Sequence, residues 1–89
     1  MYWVVLNRQI KEFSYVINNR DKKKLKAFGK HLRQLRLDAQ LSQEELNFRS
    51  ELSKNMVGLI ERGEVNPTLT TIEALARGLN ITTKKLIDF

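Results

Sequence analysis

Two short capped segments with a tight turn between them constrain this chain more than any other feature. The first is Leu41-Ser42-Gln43-Glu44-Glu45-Leu46, and the second runs Leu52-Ser53-Lys54-Asn55-Met56-Val57-Gly58-Leu59-Ile60-Glu61-Arg62-Gly63. Ser42 with Glu45 three residues on is an S-x-x-E capping box, in which each side chain satisfies a backbone amide the helix start leaves unpaired. Leu46 is the core residue of that helix. Ser50-Glu51-Leu52 turns the chain, and Ser53 is placed to cap a second helix. Gly63 ends that helix, since glycine takes positive φ without steric cost. Val57 and Ile60, three apart, form its inner face. The outer face then carries Lys54, Asn55, Met56, Gly58 and Leu59, an unusual mixture for a solvated surface. Helices this short are not stable alone in water, so the rest of the chain must bury them.

The surrounding pattern supplies that burial. From about Lys22 to Asp38, Leu25, Phe28, Leu32 and Leu35 recur at helical spacing, with Lys26, Lys30, Arg33 and Gln34 turned away. Glu64-Val65-Asn66-Pro67 is a loop. Thr68 caps a helix bearing Leu69, Ile72, Leu75, Ala76 and Leu79, and Gly78 and Asn80 mark its end. Thr82 or Thr83 starts a last turn that tucks Leu86, with Ile87, under the domain. The N-terminal stretch has Trp3, Leu6, Ile10, Phe13 and Ile17 at gaps of three and four residues, one stripe of a helix. Its β-branched and aromatic content keeps a strand or hairpin open. Asn18-Asn19-Arg20-Asp21 interrupts it. The expectation is an all-α fold: five helices over residues 25–89, preceded by an extension, residues 1–24, of packing or dimerising helix and basic linker.

Composition narrows function. Eighty-nine residues make one modest core and no lobed enzyme. The absence of cysteine excludes disulfides and thiolate sites and fits a cytoplasmic protein. His31 is the single histidine, beside the Leu32 stripe, and is assigned no function. There is no phosphate-binding glycine loop, acid–base pair or metal-ligand set, so no catalytic residue, metal or cofactor is expected. No apolar run approaches a membrane span, and the start of the chain lacks the features of a signal peptide. Of the formal +6 charge, +4 falls in residues 1–24, which hold six basic and two acidic groups. Such a balance favours a polyanionic partner. The basic cluster from Arg20 to Lys30 either follows a DNA backbone or serves as a solvated linker.

Residues from about Phe28 to Phe89 resemble the Cro/phage-repressor (Xre-like) helix-turn-helix family. The matching pieces are Leu35-Arg36, Leu41 to Leu46 as quoted above, Ser50, Leu52-Ser53, Val57, Ile60-Glu61-Arg62-Gly63, Asn66-Pro67-Thr68-Leu69, Ile72, Leu75-Ala76 and Leu79. Leu-Ser-Gln-Glu-Glu-Leu and Ile-Glu-Arg-Gly at this separation are specific together. The chain departs from the family at Gln40 and Glu51, where glycine is usual, and at Asn47, where alanine is usual.

The resemblance implies a compact five-helix repressor-like domain that binds double-stranded DNA as a homodimer. It implies a reading helix at about residues 53–62, whose N-terminal side chains meet base edges in the major groove. Lys54, Asn55, Met56 and Leu59 are then the base-reading candidates: Lys54 for guanine, Asn55 for adenine, and Met56 or Leu59 for a thymine methyl. Gln43, Ser53 and Arg62 are the phosphate candidates. Arg36 and Glu61 are expected to form an ion pair between the first and third helices. A repressor-type regulator of a near-palindromic operator follows from the resemblance. The alternative is an antitoxin or other interaction module that keeps the fold and holds a partner protein such as a toxin, with the Trp3–Ile17 stripe as its apolar surface.

Overall fold

Asp21 caps the first helix: its carboxylate accepts the Lys24 amide at 2.9 Å. The computed structural model describes residues 21–89, and all its described elements are helical. In chain order they are α1 (Lys22–Asp38), α2 (Gln43–Arg49), α3 (Met56–Glu61), α4 (Leu69–Leu79) and α5 (Thr83–Leu86). The expected N-terminal stripe, Trp3 to Ile17, lies outside the described residues. Lys22 to Lys24, assigned to the N-terminal extension by the sequence, form the first turn of α1.

The core is built from the predicted stripes. Phe28 and Leu32 of α1, Leu41, Leu46 of α2, Val57 and Ile60 of α3, Leu75, Ala76 and Leu79 of α4, and Leu86 of α5 are all buried. Leu25 and Leu35 are half-buried at its edge. Two expected core residues fall outside it. Leu69 is 72 % exposed in the first turn of α4, whose inward stripe begins only with Ile72. Ile87 is likewise exposed, so α5 anchors through Leu86 alone.

Helix starts follow the caps written in the sequence. The Ser42–Glu45 box is complete, with the Glu45 amide on Ser42 Oγ and the Ser42 amide on Glu45 Oε1, each at 3.0 Å. Those bonds to Ser42 hold the Glu45 carboxyl below the usual carboxylate range. Thr68 and Thr82 cap α4 and α5 through their hydroxyls.

Helix ends share one device. After each of α1, α2, α3 and α4 one residue turns left-handed: Gln40 (φ 59°), Glu51 (54°), Gly63 (73°) and Asn80 (56°). In each case two amides fold back on the last turn, as with Leu41 N–H to Arg36 O at 3.1 Å and Gln40 N–H to Leu37 O at 2.9 Å. This paired closure satisfies carbonyls the helix would leave unpaired, and it reverses the chain within two residues. Gly78, expected to mark the end of α4, is instead buried inside it.

One glycine sets how α1 meets α3. A Cβ built on Gly29 lies 2.4 Å from Glu61 O and 2.6 Å from Ile60 O, both backbone atoms that cannot give way. Only glycine lets α1 rest directly on the carboxyl end of α3. That contact fixes the height of α3 on the domain.

Candidate nucleic-acid interface

The helix expected to read bases is shorter than the sequence suggested. It runs Met56–Glu61, six residues, rather than from about 53 to 62. Ser53 does not cap it. Its carbonyl accepts the Met56 amide at 3.1 Å, so residues 53–56 form a separate turn. Asn55 sits at the helix start with a left-handed backbone (φ 67°), and its side chain makes no capping bond. A helix under two turns long cannot hold itself, so both of its ends must be fixed from outside.

Asn47 of α2 fixes the first end. Its Oδ1 accepts the Val57 N–H at 2.9 Å, supplying from a neighbouring helix the cap that neither Ser53 nor Asn55 provides. The amide that departs from the family pattern thus has a partner. Its position in the half-buried contact between α2 and α3 is explained by that bond.

A charged network fixes the second end. Arg36 Nε donates to Glu61 Oε2 at 2.6 Å and Arg36 Nη2 to Glu61 Oε1 at 2.9 Å, a two-pronged pair. The third prong, Arg36 Nη1, donates to Leu41 O at 2.9 Å. Gln43 Nε2 donates to Glu61 Oε1 at 3.0 Å. The Arg36 and Glu61 side chains keep only 9 % and 4 % exposure. The hydrogen bonds to Glu61, chiefly, hold the Arg36 guanidinium charged more firmly than usual. A pair this buried offsets its own desolvation with difficulty and is best understood as orienting α1, α2 and α3 against one another. The expected ion pair is present in this form.

Between these fixed ends a shallow groove opens on the outer surface. Gln43, Glu44 and Asn47 of α2 line one side; Lys54, Asn55, Gly58, Leu59 and Arg62 line the other. Gly58 forms the floor. A Cβ there would stand 3.1 Å from both Arg62 Nη1 and Gln43 Oε1, so the missing side chain gives these two room to lie across α3. Lys54 and Asn55 are exposed, and Leu59 is half-exposed. Gln43 uses one amide hydrogen on Glu61 and has a second to offer. Arg62 is held by Glu64, with Nε and Nη2 each 3.1 Å from Oε2. Both side chains are more than half exposed, so the pair is worth at most about 1 kcal/mol and yields readily to another anion.

The structure brings together Lys54, Asn55 and Leu59 with Gln43 and Arg62. It does not bring in Met56, which packs against the core, or Ser53, which is exposed but does not line the groove. Met56 stands four residues before Ile60 and so shares its inner face, against the expectation that it points outward. Sequence reasoning missed Asn47 and Glu44 as groove residues. A period-3.6 projection of α2 from Leu46 places neither inside, but only the packing of α2 on α3 shows which groove they face.

A helix-turn-helix family model, HTH_3, matches residues 32–86. The control protein C.BamHI of Bacillus amyloliquefaciens is 40 % identical over 63 residues, covering 70 % of this chain and 78 % of that protein. An uncharacterized HTH-type transcriptional regulator, y4dJ, of Sinorhizobium fredii is 36 % identical over 62 residues, covering 70 % and 80 %. Among solved structures, the restriction-modification controller protein C.AhdI of Aeromonas hydrophila superposes with a TM-score of 0.68 at 45 % identity, covering 70 % of this chain and 94 % of that one. With its capping box, its Arg36–Glu61 brace and its short helix above the groove, the chain belongs to the Cro/phage-repressor (Xre-like) helix-turn-helix family.

Proposed function

We propose that this protein is a cytoplasmic, sequence-specific DNA-binding regulator of transcription, of the restriction-modification controller type. It acts as a homodimer on a near-palindromic operator. The observation that carries this reading is the groove itself. Lys54 and Asn55, at the start of α3, and the half-exposed Leu59 within it stand around the bare floor of Gly58, on an element fixed at both ends by part-buried bonds. Such a surface is rigid, narrow and able to donate, which suits base edges in a major groove. Gln43 and Arg62 lie across it where backbone phosphates would pass. The likeness to C.BamHI and C.AhdI supports the controller role over other regulators of the same fold.

Selection of bound duplexes from random DNA tests the reading. The expected result is a two-fold repeated sequence with half-sites about 34 Å apart or a multiple of that spacing. Lys54→Ala or Asn55→Ala should cost about 1–3 kcal/mol on that sequence and relax preference at one position per half-site. Gln43→Ala should weaken all sequences alike. Recovery of no preferred sequence, or an Asn55→Ala variant with unaltered preference, overturns it.

A further inference from the structure

The groove accounts for little of the positive charge. Four cations lie elsewhere, on α1: Lys22, Lys26, Lys30 and Arg33, all exposed, none paired with a carboxylate of the described residues. At 3.6 residues per turn they fall within an arc of about 80°, in a row about 16 Å long. This arc begins at Gly29, which rests on the carbonyls of Ile60 and Glu61, and it turns away from Phe28 and Leu32, which face the core. The row therefore lies off the core-facing side of α1. Lys26 also touches Gly63: a Cβ built there would lie 2.8 Å from Lys26 Cγ and 3.1 Å from its backbone nitrogen. The row thus passes the turn at which α3 ends. Lys24 lies on the other side of α1, beside Ile87 and Phe89, and Lys85 follows the same side through its carbonyl on His31.

We propose that Lys22, Lys26, Lys30 and Arg33 form a second, sequence-independent grip on the DNA backbone, reaching phosphates beyond those met by Gln43 and Arg62. This rests on the DNA-binding reading above. The row has the right chemistry for phosphates: three flexible ammonium groups and one guanidinium, which neutralise a nucleic-acid backbone whatever its sequence. It divides the labour of binding, with affinity supplied by α1 and choice by the groove.

Two triple variants of the full chain test it, each removing three charges from exposed helix positions where glutamine is as good a helix former as lysine. One is Lys22→Gln, Lys26→Gln, Lys30→Gln; the control is Lys24→Gln, Lys84→Gln, Lys85→Gln. Binding is measured across a range of salt on the selected operator and on an unrelated duplex of equal length, with thermal melts to verify folding. The row variant should lose about tenfold or more in affinity on both duplexes, with the slope of log K against log salt shallower by up to about three, since each phosphate contact contributes about 0.9. The ratio of operator to unrelated affinity should not move. The control should shift the slope by less than one unit. Equal effects of the two triples, or a row variant indistinguishable from wild type, overturns the proposal. So does loss of binding to phosphatidylglycerol vesicles with no change on DNA. If wild type fails to prefer the operator, the base-reading role of the groove fails, and the slope on the unrelated duplex still decides the row. Absence of binding to any duplex overturns both.

Discussion

The side-chain oxygen of Asn47 lies 2.9 Å from the amide nitrogen of Val57, so α2 caps the helix that follows it. Ordinarily a helix is capped by the residue just before it. Here that residue, Asn55, has a left-handed backbone and no capping bond, and its side chain stays in the groove. Moving the cap to Asn47 frees Asn55 for a ligand.

Asn47→Ala should therefore lower stability by about 1–2 kcal/mol, because it strips a half-buried amide of its acceptor. Asn47→Asp should keep the bond and most of the stability, since a carboxylate suits a helix N-terminus. It should also weaken binding to all DNA, by placing a negative charge in the groove. Urea unfolding beside DNA titration separates the two variants; equal stability of wild type and Asn47→Ala would show that the bond contributes nothing.

Arg36 and Glu61 should behave as a unit. Arg36→Met leaves Glu61 buried without a counter-charge and Leu41 O without its donor, and should cost about 3–5 kcal/mol. Pairing it with Glu61→Leu should recover part of that loss, because two apolar groups need no partner. The coupling is read from denaturant midpoints of wild type, both single variants and the double variant. Additive losses would mean that the pair does not act through its mutual contact.

The left-handed helix ends at Gln40 and Glu51 carry side chains where glycine would be unstrained. Glu51→Gly and Gln40→Gly should each raise stability by roughly 0.5–1 kcal/mol, the steric cost exceeding the added freedom of the unfolded chain. Glu51→Ala should change little, since alanine meets the same clash. Thermal midpoints check the order; a Glu51→Gly variant less stable than Glu51→Ala would contradict it.

What the sequence made legible was local. Ser42 with Glu45, Thr68 and Thr82 cap where their residue types predict, and the leucine stripes of α1 and α4 face inward. These depend on neighbours within four residues. Ser53 misled because it is a good cap in isolation, while the observed start of α3 depends on Asn47, ten residues earlier. Met56 packs inward because it stands four residues before Ile60, on the same face of α3. The Arg36–Glu61 pair, 25 residues apart, came only from resemblance, and Gly29 drew no notice because its contact is with backbone on another helix. Tertiary partners, not propensities, decide such positions.

The six-residue length of α3 bears on how proteins of this shape diversify. The bonds that keep the helix in place come from residues other than Lys54, Asn55 and Leu59: Asn47, Arg36, Gln43, Glu61 and the bare Gly29. Lys54 and Leu59 make no described side-chain bond, and Asn55 adds only a left-handed backbone that asparagine tolerates. A lineage can exchange them one at a time, testing new targets without wagering the fold, much as type is reset in a fixed frame. The same arrangement forbids half measures: a helix too short to survive alone is either fully presented or absent, so loss of the frame abolishes binding rather than blurring it.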